Sequence, residues 1–407
     1  MTRTATEKRR GTQVLVVGGG VAGLEATLAL RAVAADLVGV ELLAPEHHFY
    51  YRPLAVAEPF GAAGAQRWEL ADLLRAAGAE FTPGALRAVD VEGHVAHLEN
   101  GGQIEYDALL LAHGARPETA LPGALTFRGP ADTEGFSRLL GEVKRGQIER
   151  LVFAVPPGVN WPLPLYELAL LTATELEREG VDAELALVTP EPVPLALLGT
   201  RASEVVYTLL VERRIAVHTA TYPAAVTESG LSCVHGGDIE ADGVVSLPRL
   251  KGPAIEGVSR DRDGFVPTDT HGRVRGAPDV YAAGDLTTFP IKQGGLAAQQ
   301  ADAAAEAIAA AAGAAVEPRP FQPVLRALLL TGGEPTFLSV ELGGGHGDST
   351  RVSDEPLWSP AGKIVGRQLA PFLADLGVLD LAGEPSEDDV RRIEVDASAA
   401  HELAWRL

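Results

Sequence analysis

Residues 13–30 read QVLVVGGGVAGLEATLAL. Residues 14–17 are a run of apolar side chains, the pattern of a strand covered on both faces in a parallel sheet. Gly18, Gly20 and Gly23 follow at G-x-G-x-x-G spacing, and from Val21 the pattern turns helical, with good helix formers and no breaker. A pyrophosphate cradle needs this arrangement. The first glycine permits a tight turn, the second lets a pyrophosphate approach the backbone, and the third lets the helix pack closely. The helix N-terminus adds unpaired N–H donors and the positive end of its dipole. The motif leaves an apolar strand and opens a helix, so Gly18-Gly19-Gly20-Val21-Ala22-Gly23 reads as a dinucleotide-binding turn.

The bounds around that motif are simple. A chain of 407 residues is too long for one core and suits two or three domains. With 46% hydrophobic residues, global disorder is excluded. A formal charge of −21 argues against a nucleic-acid surface and against electrostatic docking on anionic lipid. The single cysteine, Cys233, excludes an intramolecular disulfide and a C-x-x-C metal knuckle, and no metal site is expected. The opening MTRTATEKRRGT reads as a polar arm without the apolar stretch of a signal peptide. No run of about 18 apolar residues predicts a transmembrane span. These features predict a cytoplasmic enzyme, with peripheral membrane association as a variant.

Residues 37–43 (LVGVELL) read as the second strand. A dinucleotide fold places an acid at the end of that strand for the adenosine ribose, and Glu41 and Glu46 are the candidates. Glu46 is preferred because it follows the strand end. The cluster HHFYYRPL at 47–54 suggests a wall beside a flat ring, with Arg52 as a nearby cation. Residues 66–77 predict a helix, 79–112 a set of short strands, and 117–130 a linker. A second unit begins with a strand at 151–155, then PPGVNWPLP, a helix at 165–179 and a strand at 183–188. It echoes the first. Leu42-Leu43-Ala44-Pro45-Glu46 matches Leu187-Val188-Thr189-Pro190-Glu191, Ile104-Glu105-Tyr106-Asp107 matches Ile239-Glu240-Ala241-Asp242, and Glu25 matches Glu167. The expected fold is α/β: two Rossmann-like dinucleotide-binding domains, at 1–118 with 246–318 and at 119–245, then a small α+β segment at 319–407. In that last segment short strands are expected at 325–330 and 336–340, a turn at 343–347, and a helix at 363–376 whose apolar stripe suits core packing or a homodimer contact.

Three motifs taken together carry a resemblance: VVGGGVAGLEA at 16–26, YDALLLAHGARP at 106–117 and VYAAGD at 280–285. They resemble FAD-dependent pyridine-nucleotide oxidoreductases with two dinucleotide-binding domains. The nearer relatives look like type II NADH dehydrogenases and sulfide:quinone oxidoreductases. The resemblance implies that the first motif holds the FAD pyrophosphate and that Ala112-His113-Gly114 closes over the cofactor. It implies that Asp285, after Gly284, hydrogen-bonds the ribityl or pyrophosphate region. It also implies that the helix starting near Gly295 and Leu296 points its positive end at the flavin pyrimidine edge, where Lys292 adds charge. Glu167 falls where the family's glutamate approaches the nicotinamide. Trp161 would shield the flavin or fill the domain interface.

The sequence departs from both relatives in the second unit. Prolines at 156, 157, 162 and 164 replace the glycines of a phosphate cradle, so NAD(P)H is expected to bind weakly. Cys233 lies outside that loop and has no thiol partner, so persulfide chemistry is not expected. The leading expectation is an oxidoreductase that reduces a quinone-like or small acceptor, with NAD(P)H as default donor. Its alternatives are a cysteine-independent donor on a sulfide:quinone oxidoreductase-like fold, and a flavin-binding redox-sensing subunit without turnover.

Overall fold

The computed structural model describes residues 11–61, 66–342 and 350–376. The apolar run at 14–17 lies in strand Thr12–Val17, at the centre of a six-stranded sheet. That strand pairs in parallel with Val38–Ala44 on one side and Ala108–Leu111 on the other. Glu80–Pro83 extends the sheet beyond Val38–Ala44, and Ala277–Ala282 extends it beyond Ala108–Leu111. Arg273–Val274 closes that edge as the one antiparallel partner. The strand Ala277–Ala282 therefore arrives after a second parallel sheet has been built.

In the second sheet Arg150–Ala154 takes the central place. Glu184–Val188 and then Ile215–His218 lie on one side, with Gly243–Ser246 and then Leu125–Thr126 on the other, all parallel. In each unit a three-stranded antiparallel sheet precedes a returning parallel strand. One hydrogen-bond device recurs at that return. Asp107 accepts the Gln13 N–H at 2.6 Å while its own N–H reaches the Gln13 carbonyl. Asp242 accepts the Arg150 N–H at 2.9 Å and donates to the Arg150 carbonyl. The matched Asp residues thus tie the first strand of each unit to the strand that comes back beside it.

Some boundaries differ from expectation. The helix expected over 66–77 spans only Leu70–Ala77, because Arg67–Glu69 pairs with His48–Tyr50 and stacks Trp68 on Phe49 at 5.8 Å. The linker expected over 117–130 contains Leu125–Thr126 of the second sheet, and Arg116–Glu118 pairs with Arg249–Lys251. Its prolines and glycines masked these short pairings. Helices Thr133–Lys144 and Thr200–Glu212 were not expected.

The C-terminal segment forms a three-stranded antiparallel sheet, Val324–Leu329, Thr336–Glu341 and Arg351–Ser353. Leu325, Ala327, Leu329, Leu338 and Val340 join the core of the second unit, while Leu328 and Phe337 pack with Trp358. The helix expected over 363–376 begins only at Leu369. Its predicted first turn is spent on tertiary bonds instead. The Lys363 ammonium meets Glu167, the Ile364 N–H donates to the Tyr51 hydroxyl at 2.8 Å, and the Gln368 and Leu369 N–H groups donate to Glu25 at 2.6 and 2.9 Å. Ile364, Leu369 and Leu373 of the apolar stripe are buried against the first unit, while Leu376 at its end stays exposed. The polar arm at 1–10, the turn at 343–347 and the acidic end at 385–400 lie outside the described residues. No described helix is long and apolar enough to cross a membrane.

Glu25 also faces Asp302 of helix Gly294–Ala311. Burial pushes Glu25 up to about 7, against the pull of the Gln368 and Leu369 N–H groups. Burial, together with Glu25 and Glu306, pushes Asp302 up to about 8, against Arg319. Both carboxyls bind protons more tightly folded than unfolded. Their contribution is fully present below the unfolded values and is lost as pH rises through about 7 and 8. Hydrogen exchange of residues 363–376, corrected for intrinsic rates, should therefore accelerate between about pH 5 and pH 9. Glu25→Gln combined with Asp302→Asn should flatten that dependence, and protection that is pH-independent in the unmodified protein would refute this account.

Candidate active site

The first glycine turn is held by its neighbours and open on one side. Gly18 has φ +116, and a Cβ there would sit 2.6 Å from the Ala112 carbonyl carbon and from His113 Cα. The Ala112-His113-Gly114 segment therefore lies directly on the turn. A Cβ on Gly23 would meet the Gly18 carbonyl oxygen, so the helix packs on the loop backbone itself. A Cβ on Gly19 would meet Leu70 Cδ1 at 2.5 Å. Gly20 differs, because a Cβ there meets nothing within 4 Å, and neither would one on Gly114. Gly20 is the N-cap of helix Val21–Ala34 and no side chain caps it. The N–H groups of Val21, Ala22 and Gly23 are thus left for an external acceptor. An open face at Gly20 beside uncapped donors fits the pyrophosphate of FAD.

In the middle of the next strand, Val38–Ala44, Glu41 accepts the Thr82 hydroxyl at 2.6 Å and is spent inside the sheet. Glu46 stands exposed just past the strand end.

The other half of the site comes from the returning strand. Gly284 is wedged between Ala22 and Ala297, where an added Cβ would lie 3.1 and 3.3 Å from their Cβ atoms. This wedge joins the first helix, the Gly284–Leu286 turn and helix Gly294–Ala311 at one point. The Gln300 side chain accepts the Gly284 N–H at 2.7 Å, and the Thr287 hydroxyl donates to the Gly284 carbonyl at 3.0 Å. Asp285 is thereby held at the cavity wall. Burial pushes its carboxyl up, while Lys292 and Arg52 hold it down. Gln293 caps the next helix by accepting the Leu296 N–H at 2.8 Å. Leu296 therefore has no N–H to offer, and the helix start presents those of Gly294 and Gly295.

Asp285, the loop after it and the start of helix Gly294–Ala311 border a cavity of about 820 Å³. Arg52, Trp161, Glu167, Asp285 and Lys292, singled out in the sequence, all line it. Lys292 donates to the Thr287 carbonyl and lies 4.0 Å from the centre of the Phe265 ring. Burial lowers its ammonium to about 8, against the pull of Asp285 and Asp261. Glu167 is fully buried and receives Lys363 at 2.6 Å on each oxygen, with the Leu330 N–H at 2.9 Å. Burial pushes the Glu167 carboxyl up and the Lys363 amine down, while each favours the charged form of the other. Trp161 is half-buried at the wall, and the adjacent Asn160 side chain donates to the Pro290 carbonyl at 2.8 Å.

Two residues were missed. Lys363 read as the start of a helix, although a lysine between Ala361 and Ile364 in an apolar stretch signals a buried, paired ammonium. His113 Nδ1 is buried without a partner, and burial with the nearby Arg116 lowers the ring to about 4, so it is neutral at physiological pH. Its place inside the Ala112-His113-Gly114 segment was the available signal.

The second unit offers no matching cradle. Helix Leu163–Glu179 is preceded by Pro162 and has Pro164 in its first turn, while the Leu165 N–H goes to the Pro162 carbonyl at 2.9 Å. Glu191 is turned inward. It accepts the Tyr166 and Thr189 hydroxyls at 2.7 and 2.9 Å and the Ala196 N–H at 3.2 Å. Cys233 ends strand Gly230–Cys233, half-buried, and is not among the residues lining the cavity.

Residues 12–153 match the family described as pyridine nucleotide-disulphide oxidoreductase. The chain is 28% identical over 293 residues to the NADH dehydrogenase-like protein Rv1812c of Mycobacterium tuberculosis, covering 68% of this chain and 72% of that one. It is 25% identical over 276 residues to the sulfide-quinone reductase of Aquifex aeolicus, covering 61% of each. The solved sulfide:quinone oxidoreductase of Aquifex aeolicus shares the fold with a TM-score of 0.74 at 19% identity, over 84% of this chain and 87% of that one.

Because Gly20, unlike Gly18, Gly19 and Gly23, opens away from protein, Gly20→Val should purify with its fold intact and with little bound flavin. The flavin-to-protein absorbance ratio reads this directly, and full occupancy in the variant would falsify the cradle.

Proposed function

We propose that this FAD-dependent oxidoreductase of the pyridine nucleotide-disulphide type passes electrons from a small donor to a quinone-like or small acceptor, through the cavity bounded by Asp285, Lys292 and the Glu167–Lys363 pair. The observation carrying this reading is that one cavity gathers a helix N-terminus, a buried lysine, Asp285 of the Gly284–Leu286 turn and a buried carboxylate–ammonium pair. FAD, when bound, supplies the two-electron chemistry. The chain's own residues position and balance charge. The N–H groups of Val21, Ala22 and Gly23 hold the pyrophosphate, and Glu46 takes the adenosine ribose. Asp285 reaches the ribityl or pyrophosphate region. Gly294 and Gly295 turn the positive helix end toward developing negative charge, and Lys292 adds to it. Trp161 and the proline-rich loop exclude water from the cavity.

NAD(P)H is the default donor on this reading, held weakly. A phosphate cradle needs several converging N–H groups, and this loop loses them to proline and to the Pro162 carbonyl. Two or three missing bonds to a charged group, at about 1.5–3 kcal/mol each, move a micromolar site toward millimolar. The inward-turned Glu191 removes the ribose acceptor as well. The same observation favours a second reading, a donor smaller than a dinucleotide that needs no cysteine. Flavin bleaching followed by stopped flow with NADH, NADPH and sulfide separates the two. NADH reduction should be slow and far from saturation, and a dissociation constant below about 10 μM for either nucleotide would show the loop to be no handicap.

Lys292 supplies a second test. Its folded value is about 8, below the ordinary 10.5, so its charge is lost as pH rises through about 8. The rate of flavin reduction by a fixed donor should fall above that point, and Lys292→Gln should be slower at pH 7 and flat across the same range. A rate in the unmodified enzyme that holds level to pH 10 removes Lys292 from the charge balance.

A further inference from the structure

We propose that the second cavity of the chain binds a phosphoryl group or a comparable oxyanion, gripped by Arg326 and Arg351 on either side of Ser339. This cavity, of about 620 Å³, lies between the C-terminal sheet and helix Gly294–Ala311, apart from the cavity described above. Register creates the grip. Arg326 pairs with Ser339, and Ser339 pairs with Arg351 on the next strand. Directly opposed residues on neighbouring strands share one face of a sheet, so two guanidinium groups flank one hydroxyl.

Four arginines line the cavity. Arg319 and Arg367 both reach Glu306 and are accounted for. The side chains of Arg326 and Arg351 make no hydrogen bond or ion pair with any described residue. Both are half-buried. Burial and then Arg351 lower the proton affinity of Arg326, with Glu341 opposing. Arg326 and Arg351 stand two strands apart on one face and repel each other, and a partly desolvated guanidinium without a partner among the described residues adds to the cost. Among the described residues, Glu341 is the acid that offsets the charge of Arg326. The other acids in the wall do not neutralise it. Glu306 is shared by its own two arginines, and Asp302 holds its proton up to about 8. The cavity is therefore net positive at neutral pH.

Two forked guanidinium groups with a hydroxyl between them match the oxygens of a phosphoryl group. Leu357 and Trp358 in the same wall offer an apolar side for the organic part of a phosphate ester. A soluble phosphate ester and the headgroup of an anionic phospholipid both present this chemistry.

The test uses FAD-loaded protein, so that the flavin cradle is filled. Calorimetric titration with inorganic pyrophosphate at low salt, against chloride at matched ionic strength, should show saturable binding. Arg326→Gln and Arg351→Gln should each weaken it by about tenfold or more, and Arg351→Lys should lose less because it keeps the charge. Flavin absorbance and thermal melting report whether these variants fold. Ser339→Ala removes only the hydroxyl and should give a smaller loss, which keeps the proposal testable if the arginine variants do not fold. Flotation with phosphatidylcholine vesicles, with and without phosphatidylglycerol, distinguishes the sources. Vesicle binding lost in the arginine variants without pyrophosphate binding assigns a headgroup, whereas pyrophosphate binding assigns a soluble ester. Neither ligand exceeding its control, or binding unchanged in all three arginine and serine variants, overturns the proposal.

Discussion

Two carboxylates without access to water, Glu25 and Glu167, hold the three parts of the chain together. Each is the fifth residue of the helix that follows the central strand of its unit. Both are fully buried, and a bare buried carboxylate costs several kcal/mol. The C-terminal segment satisfies both. It gives Glu25 the N–H groups of Gln368 and Leu369, and Glu167 the Lys363 ammonium and the Leu330 N–H. Without residues 324–376 neither of the first two units would be electrostatically complete. The segment is therefore a structural part of both, and this fixes the place of its strand Val324–Leu329 beside the main cavity, where Ala327 and Leu328 line the wall.

The two units share what holds the frame and differ where a nucleotide would lie. Asp107 and Asp242 make the same paired bonds, and Glu25 and Glu167 occupy the same helix position. These contacts lie inside the fold and do not depend on a ligand. The loops at the strand ends have no such obligation. One presents an open glycine and three unpaired donors, while the other presents prolines and a half-buried Trp161. Glu46 is exposed, whereas its counterpart Glu191 closes a network with Tyr166 and Thr189. Glu191 is thus occupied by its own loop, and Pro157, Trp161 and Pro164 of the second unit line the cavity.

The sheets were legible because their signals are local. Residues 14–17 and 108–111 are continuous apolar runs that only a covered parallel strand explains, and the glycine spacing placed the first helix to within a residue. The helix expected at 363 failed for a nonlocal reason. Its apolar spacing is real, but Glu25, over three hundred residues earlier, takes the Gln368 and Leu369 N–H groups that a helix from 363 would have bonded to the carbonyls four residues before them. The short strands at 116–118 and 125–126 were hidden by proline and glycine, because their pairing depends on partners near 245–251. The site followed the same division. Asp285 and Lys292 stood in a readable motif and its loop, whereas Lys363 acquires meaning only when the fold sets it on Glu167.

The charge of Lys292 at the main cavity is offset by its immediate neighbours. Lys292 is partly desolvated, and three neighbours offset this: the Thr287 carbonyl, the face of Phe265 and the charge of Asp285. Burial in turn raises the Asp285 carboxyl, and the charges of Lys292 and Arg52 limit that rise. A group poised at about 8 changes its protonation in response to a modest change in local charge. Negative charge arriving in the cavity raises the proton affinity of Lys292, so the lysine keeps its proton when an anion is present and releases it more readily when the anion leaves. The same loop is linked to the C-terminal sheet by Gln293, whose amide donates to the Arg326 carbonyl at 3.0 Å while its oxygen caps the helix facing the cavity. One side chain thus fixes both the helix end that confronts negative charge and the strand that carries Arg326, so neither can shift without straining the other.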